Sequence, residues 1–157
     1  MTIQNKKLLV SAIKDGTVID RIESGNALKV IHFLNIIDSE KIITVGLNLP
    51  SKVMGKKDLV KIENLELTTK QINDLAILAP NATINIIKKY KVIKKFKAEI
   101  PDYIHNIVTC PNPKCITNNE NIITKFDIIN KKNPIKIKCN YCEKIFEQND
   151  ILNYKHT

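Results

Sequence analysis

"GKKDLVKIENLELTTKQINDLAILAP", residues 55–80, changes its hydrophobic period half-way along. In its first half the chain alternates: Val60 and Ile62 fall on one face of an extended strand, and Lys57, Leu59 and Lys61 on the other. Thr68 and Gln71 then stand at capping-box spacing, and Ile72, Leu75, Ala76 and Ala79 recur at the helical interval until Pro80 stops the helix. Upstream, "KIITVGLNL" (41–49) reads as a strand ended by Pro50. "SGNALKVIHFLNII" (24–37) reads as a helix, with Ala27, Leu28, Ile31 and Leu34 on one face and Ser24 as its N-cap. "LLVSAI" (8–13) is a short apolar strand before the turn signal "KDGT". Downstream, "ATINIIKKYKVIKKFKAEI" (82–100) supplies one or two further strands. The order β-α-β-β-α-β with a trailing strand predicts the ferredoxin-like plan, a four-stranded antiparallel sheet with both helices on one face, hence an α+β N-terminal domain. It is expected to span 1–100, with "PDYIHN" (101–106) as a hinge and a small all-β domain over 107–157, with strands at "TKFDII" and "IKIKC".

The second domain is read from its thiols. All four cysteines of the 157-residue chain lie there, in "CPNPKC" (110–115) and "CNYC" (139–142). Two short turns bearing two thiolates each suit the tetrahedral coordination of zinc, so Cys110, Cys115, Cys139 and Cys142 are expected to hold one structural Zn2+ in a zinc-ribbon-like fold. Disulfides would need an oxidising compartment, and a redox pair at Cys139 and Cys142 would leave the other two thiols unexplained. Four protein ligands leave no position for a reacting water, and the ion supplies free energy that a segment of this size lacks from burial alone.

Neither a Walker-type phosphate loop nor a dinucleotide glycine fingerprint occurs, and the chain has four glycines in all. His32, His105 and His156 are paired with no evident nucleophile or carboxylate, so the pattern is not that of an enzyme. The opening "MTIQNKKLLV" has no secretory h-region and no apolar run reaches membrane-spanning length, which places the expected location in the cytoplasm.

The formal charge of +9 is unevenly spread: residues 1–100 carry 17 basic and 10 acidic side chains, residues 101–157 carry 8 and 6. "KKYKVIKKFK" (88–97) holds six lysines and no acid, and Lys57 and Lys61 share a strand face. Such a cluster attracts phosphates, of a nucleotide or of a nucleic acid; it also reads as a solvated edge that discourages strand pairing. Asp20 is placed to accept a ribose hydroxyl or to serve its own turn. A zinc-ribbon nucleic-acid-binding protein is the alternative, though the near-neutral second domain argues against it.

"GTVIDRI" (16–22), "ITVGLNLPSKVMGKKDLVKIEN" (43–64), "LAPNATINII" (78–87), "CPNPKCI" and "KCNYCEK" together resemble the regulatory chains of aspartate carbamoyltransferase over essentially the whole length. The resemblance implies a non-catalytic chain that pairs through its N-terminal domain and docks catalytic trimers through its zinc domain, in an assembly of two trimers and three regulatory dimers. It implies control of pyrimidine biosynthesis by nucleoside triphosphates, with CTP inhibiting, ATP activating and UTP reinforcing CTP, and no role for nucleic acid or membrane. Carried over by position, Ala12, Ile13, Ile87, Tyr90 and Val92 would surround the base, with Asn85 supporting it and Val18 also in the effector site. Asp20 and Lys61 would hold ribose and base, while Arg21, Lys57 and Lys95 would face the phosphates. Asn112, Lys114, Tyr141 and Glu143 would meet the catalytic chain. Arg21 stands where a histidine is familiar, and Lys114 where an asparagine is, so effector response and docking charge are expected to differ.

Overall fold

The computed structural model describes residues 11–151. It begins with β1 (Gly16–Glu23), α1 (Ala27–Leu34), β2 (Ile43–Ser51), β3 (Gly55–Glu63), α2 (Thr69–Leu75), β4 (Thr83–Lys88) and β5 (Lys91–Lys97). The sheet order is β2-β3-β1-β4-β5, every neighbour antiparallel. This is the ferredoxin-like order with the trailing strand added as a fifth, at the edge beside β4.

Register explains the layering. Ile19 lies opposite Val60 on β3 and Ile84 on β4, and Thr17 opposite Ile62 and Ile86. Apart from Thr17, which is buried but polar, these residues are buried in one cluster with Ala27, Val30, Ile31 and Leu34 of α1 and Ile72 and Leu75 of α2. Burial of each such aliphatic side chain stabilises the fold by about 1.5–3 kcal/mol. Among the described residues the opposite face of the sheet carries no helix.

Several boundaries differ from the sequence reading. Of "LLVSAI", residues 8–10 lie outside the described residues and 11–13 are not in a strand. The first described strand starts at Gly16, inside the expected turn. There a Cβ would lie 2.1 Å from the Ile62 carbonyl oxygen, so only glycine lets β1 meet β3 so closely. α1 is capped at Asn26 rather than Ser24, whose hydroxyl bonds Asn48 Oδ1 instead, and Val30 rather than the exposed Leu28 faces the core. β2 runs through Pro50, which an edge strand tolerates. The Thr68–Gln71 capping box forms as read, but α2 passes into turns after Leu75.

Buried Asp58 ties these elements together. Its carboxylate accepts the N–H groups of Gly25 (2.9 Å), Ala27 (3.2 Å) and Asn48 (2.9 Å), joining β3 to the start of α1 and to the irregular part of β2.

The second unit is a four-stranded antiparallel sheet, β6 (Tyr103–His105), β7 (Lys125–Asn130), β8 (Lys136–Cys139) and β9 (Ile145–Glu147), in that order, with a one-turn helix α3 (Ile116–Asn119). Residues 103–105, read from the sequence as connector, are recruited to this sheet because Ile104 pairs opposite fully buried Phe126. β7 and β8 occupy the two expected segments; β6 and β9 are too short to show a period. The buried apolar side chains of both units form one contiguous cluster. Across the junction Gln148 Nε2 donates to the Leu78 carbonyl (3.4 Å), which also accepts from Asn26 Nδ2 of its own unit (3.2 Å). Among the described residues no helix is long and apolar enough to cross a membrane.

Candidate functional site

Strand parity assembles the open face of the first sheet. Val18 on β1 lies opposite Lys61 on β3 and Asn85 on β4, and Asn85 lies opposite Lys95 on β5. Four expected residues from four strands thus form one row. On one side the row is flanked by Ile87, which pairs with Gly16 and Val92. On the other it is flanked by Asp20, whose partner Thr83 pairs in turn with Lys97.

A bulge in β1 re-aims the chain after Asp20. The register shifts between Ile19 and Ile22, and exposed Arg21 takes a left-handed conformation (φ 57°). Asp20 Oδ1 accepts the Arg21 N–H (2.7 Å), and the Asp20 carboxylate pairs with the Lys57 ammonium at 2.9 Å. Lys57 lies two positions from Leu59 on the same face of β3, and from there its long side chain reaches Asp20 across the strands.

The edge of the face is set by two loops. Lys89 and Tyr90 both have positive φ (49° and 66°), making a two-residue hairpin of the I′ kind between β4 and β5. The Tyr90 N–H donates to the Lys14 carbonyl (2.9 Å) and the Lys89 N–H to Asp15 Oδ1 (3.1 Å). These bonds hold segment 11–15 across the end of the sheet, with Ala12 exposed and Ile13 buried. Lys61 Nζ donates to the Ser11 carbonyl (2.7 Å). Partial burial lowers the Lys61 ammonium from its ordinary range, while Asp20 opposes that shift. Lys97 was not among the residues singled out from the sequence, although its even spacing from Lys95 signals the shared face.

At the other site all four sulfurs lie within 4.8 Å of one another, with Cys110–Cys142 and Cys115–Cys139 at 3.8 Å. A tetrahedral zinc with Zn–S bonds near 2.3 Å requires sulfur separations of about 3.8 Å, so the donor set fits that ion in number, softness and spacing. The first pair is set by a loop in which Cys115 N–H donates to the Asn112 carbonyl (3.0 Å) and Asn118 Nδ2 holds the carbonyls of Cys110 (2.9 Å) and Asn112 (2.7 Å). The second is set by a turn closed by Glu143 N–H on the Cys139 carbonyl (3.0 Å) and Cys139 N–H on that of Lys144 (3.0 Å).

Burial pushes the Cys110 and Cys139 thiols up. Burial acts on Cys115 in the same sense, but the Thr117 hydroxyl and amide, with the Cys139 and Cys110 thiols, bring it down to about 7. The hydroxyl is 3.2 Å from Cys115 Sγ, a contact that sequence reading missed; a hydroxyl residue two places after a ligand is its only signal.

Of the four expected docking residues, Asn112 and Lys114 share the first loop, where Lys114 N–H donates to Asn112 Oδ1 (3.1 Å). Tyr141 and Glu143 are exposed on the second turn, with Tyr141 Oη donating to the Ile123 carbonyl (3.1 Å). A cleft of about 470 Å³ between α2 and β6 contains none of the expected residues. Its acids are already paired, Asp74 with Lys70 and Asp102 with Lys131.

Residues 8–99 match the family described as aspartate carbamoyltransferase regulatory chain, allosteric domain, and residues 102–152 match the metal binding domain of the same chain. The aspartate carbamoyltransferase regulatory chain of Pyrococcus abyssi is 48% identical over 148 residues, covering 93% of this chain and 97% of that protein. The one from Thermococcus sibiricus is 46% identical over 147 residues, covering 94% and 97%. That of Vibrio campbellii is 46% identical over 140 residues, covering 89% and 92%.

Proposed function

The chain belongs to the family of aspartate carbamoyltransferase regulatory chains, and on that premise we propose that it binds nucleoside triphosphates on the open face of its first sheet and docks the catalytic chain through a zinc-held second domain. As a regulatory chain with an allosteric and a metal-binding domain, it is a non-catalytic subunit of that enzyme.

The observation that carries the nucleotide reading is the row Lys61–Val18–Asn85–Lys95, flanked by the Asp20–Lys57 pair. Ammonium groups at two ends of an uncovered face, with apolar and amide side chains between them, match a ligand having a polyanionic tail, a ribose and a base. Asp20 offers an acceptor for ribose hydroxyls; Arg21, Lys57 and Lys95 offer charge to the phosphates. Ala12, Ile13, Ile87, Tyr90 and Val92 close round the base with backbone groups as well as apolar surface.

The metal is zinc, one ion per chain, held by Cys110, Cys115, Cys139 and Cys142. When bound it supplies no reactive chemistry, only a cross-link between two loops. Asn112, Lys114, Tyr141 and Glu143 lie on those loops and would meet the catalytic chain. Pairing through the N-terminal domains then joins two catalytic trimers by three regulatory dimers, in the cytoplasm, where thiols stay reduced.

Effectors act by binding the two states of this assembly unequally. CTP favours the low-affinity state and ATP the high-affinity one, with UTP reinforcing CTP. A difference at the open face must reach the metal loops through the 101–106 connection and the apolar core common to both units, where the turn after α2 meets Gln148 at the Leu78 carbonyl. Calorimetric titration of the zinc-loaded protein with CTP and then ATP at physiological salt tests the site. Saturable, mutually competitive binding is expected. Absence of both, with retained affinity for an oligonucleotide, would replace this reading with a nucleic-acid module.

A further inference from the structure

Within the zinc reading just given, on which this inference rests, the geometry points to Thr117 as a positioning residue of the metal centre: its hydroxyl donates to Cys115 Sγ and makes that sulfur the last to release the ion. Thr117 is 4% exposed, so its O–H needs an internal partner, and the sulfur at 3.2 Å is the acceptor it meets. Among the described residues this is the one side-chain hydroxyl hydrogen bond made to any of the four ligand sulfurs.

The placement follows from the local fold. Cys115 occupies the N-cap position of α3, and Asn119 Nδ2 holds its carbonyl at 2.9 Å, so the backbone carrying both Cys115 and Thr117 is fixed. A β-branched side chain on a short helical turn has few rotamers, and this one turns its oxygen inward.

The consequence is an asymmetry among the ligands. Four thiolates round one dication crowd negative charge, and a hydroxyl donor withdraws part of it from Cys115, lowering that sulfur's affinity for a competing proton or electrophile. Cys115 is 1% exposed, whereas Cys142 is only half-buried and among the described residues meets no hydroxyl. Release therefore starts at Cys142 and ends at Cys115.

The test compares wild type, Thr117→Val and Thr117→Ser as full-length, metal-loaded protein. Valine keeps the shape without the hydroxyl; serine keeps the hydroxyl without the methyl. Zinc transfer to a chromogenic chelator is expected to be about tenfold faster in Thr117→Val and near wild type in Thr117→Ser. In the cobalt-loaded forms, the thiolate-to-metal charge-transfer bands should move to lower energy in the valine variant alone, as the sulfur becomes richer in electrons. Wild-type transfer rates and bands in Thr117→Val would overturn the role. So would equal impairment of both variants, which would assign the effect to methyl packing. A wild-type protein that gives no four-thiolate cobalt spectrum would overturn the zinc reading as well.

Discussion

The two units of the chain are built around opposite kinds of centre. In the first, two helices cover one face of a five-stranded sheet, and Ile19, Val30, Val60, Ile62, Leu75 and Ile84 are excluded from water without help from any ion. Its principal buried charge, Asp58, is satisfied by three backbone donors. In the second, a smaller sheet has Phe126 and Ile137 at its heart, and its outer loops meet at four sulfurs instead of at a hydrophobic layer. Burial can stabilise the larger unit alone, while the smaller one delegates its loop geometry to metal coordination. The difference teaches where function can be placed. A self-sufficient sheet can leave one whole face open for a ligand, and a cross-linked pair of loops can present a rigid contact surface despite a thin core.

The largest effect expected is from breaking the metal centre. Cys115→Ser should remove the ion, and with it much of the roughly 10–16 kcal/mol that zinc contributes in small metal-folded domains. Hydrogen exchange should then show β7 and β8 opened while β1 and β3 remain protected, and sedimentation should show no assembly with the catalytic chain. A fully assembled Cys115→Ser enzyme would erase the proposed contrast. Because burial pushes Cys110 and Cys139 up, metal must displace their protons, so affinity for zinc should fall as pH falls; a flat competition titration would contradict this.

Next in size is the corresponding lesion in the first unit. Asp58→Ala leaves three N–H groups without their acceptor and should cost about 3 kcal/mol. Denaturant unfolding should show the loss in the first sheet, with zinc content unchanged. Loss of metal on this substitution would mean that the two units do not stand independently.

A smaller effect belongs to the open face. Lys61→Ala and Lys95→Ala should each weaken CTP and ATP by about tenfold, which corresponds to about 1.4 kcal/mol, without affecting assembly or zinc content. Unchanged affinity in both would refute the site.

The smallest concerns pH. Relative to wild type, Arg21→His should make nucleotide affinity fall as pH rises through the imidazole range near about 6.5. Lys61 adds an alkaline limb. Its ammonium is fully present at low pH and, being lowered by burial, is lost before those of surface lysines as pH rises, so affinity should decline there first. An alkaline limb that persists in Lys61→Ala would assign it to another group.

Much of the open face was legible beforehand because strand parity is local: Lys57 and Lys61 share a face in any extended chain. The capping box at Thr68 was legible for the same reason, since its two partners are three residues apart. The start of β1 was not. "LLVSAI" is apolar enough for a strand, but pairing is decided by what Gly16 meets, and Glu63 and Ile87 are distant in the chain. Ser24 failed as a cap for a similar reason, because Asn48, brought close by β2, took its hydroxyl.

By itself, then, the sequence determined the alternation of strand and helix, the order of the elements, the pairing of thiols into two metal-binding turns and the excess of lysine on one part of the chain. Each of these depends on residues within a few positions of one another. Only the tertiary structure decided the bulge in β1, the pairing of Lys57 with Asp20, the fifth strand that carries Lys95 beside Asn85, the hydroxyl on Cys115 and the meeting of Gln148 with the Leu78 carbonyl. Those depend on register, on the conformation taken up at positive φ and on packing between distant segments, which local periodicity does not encode.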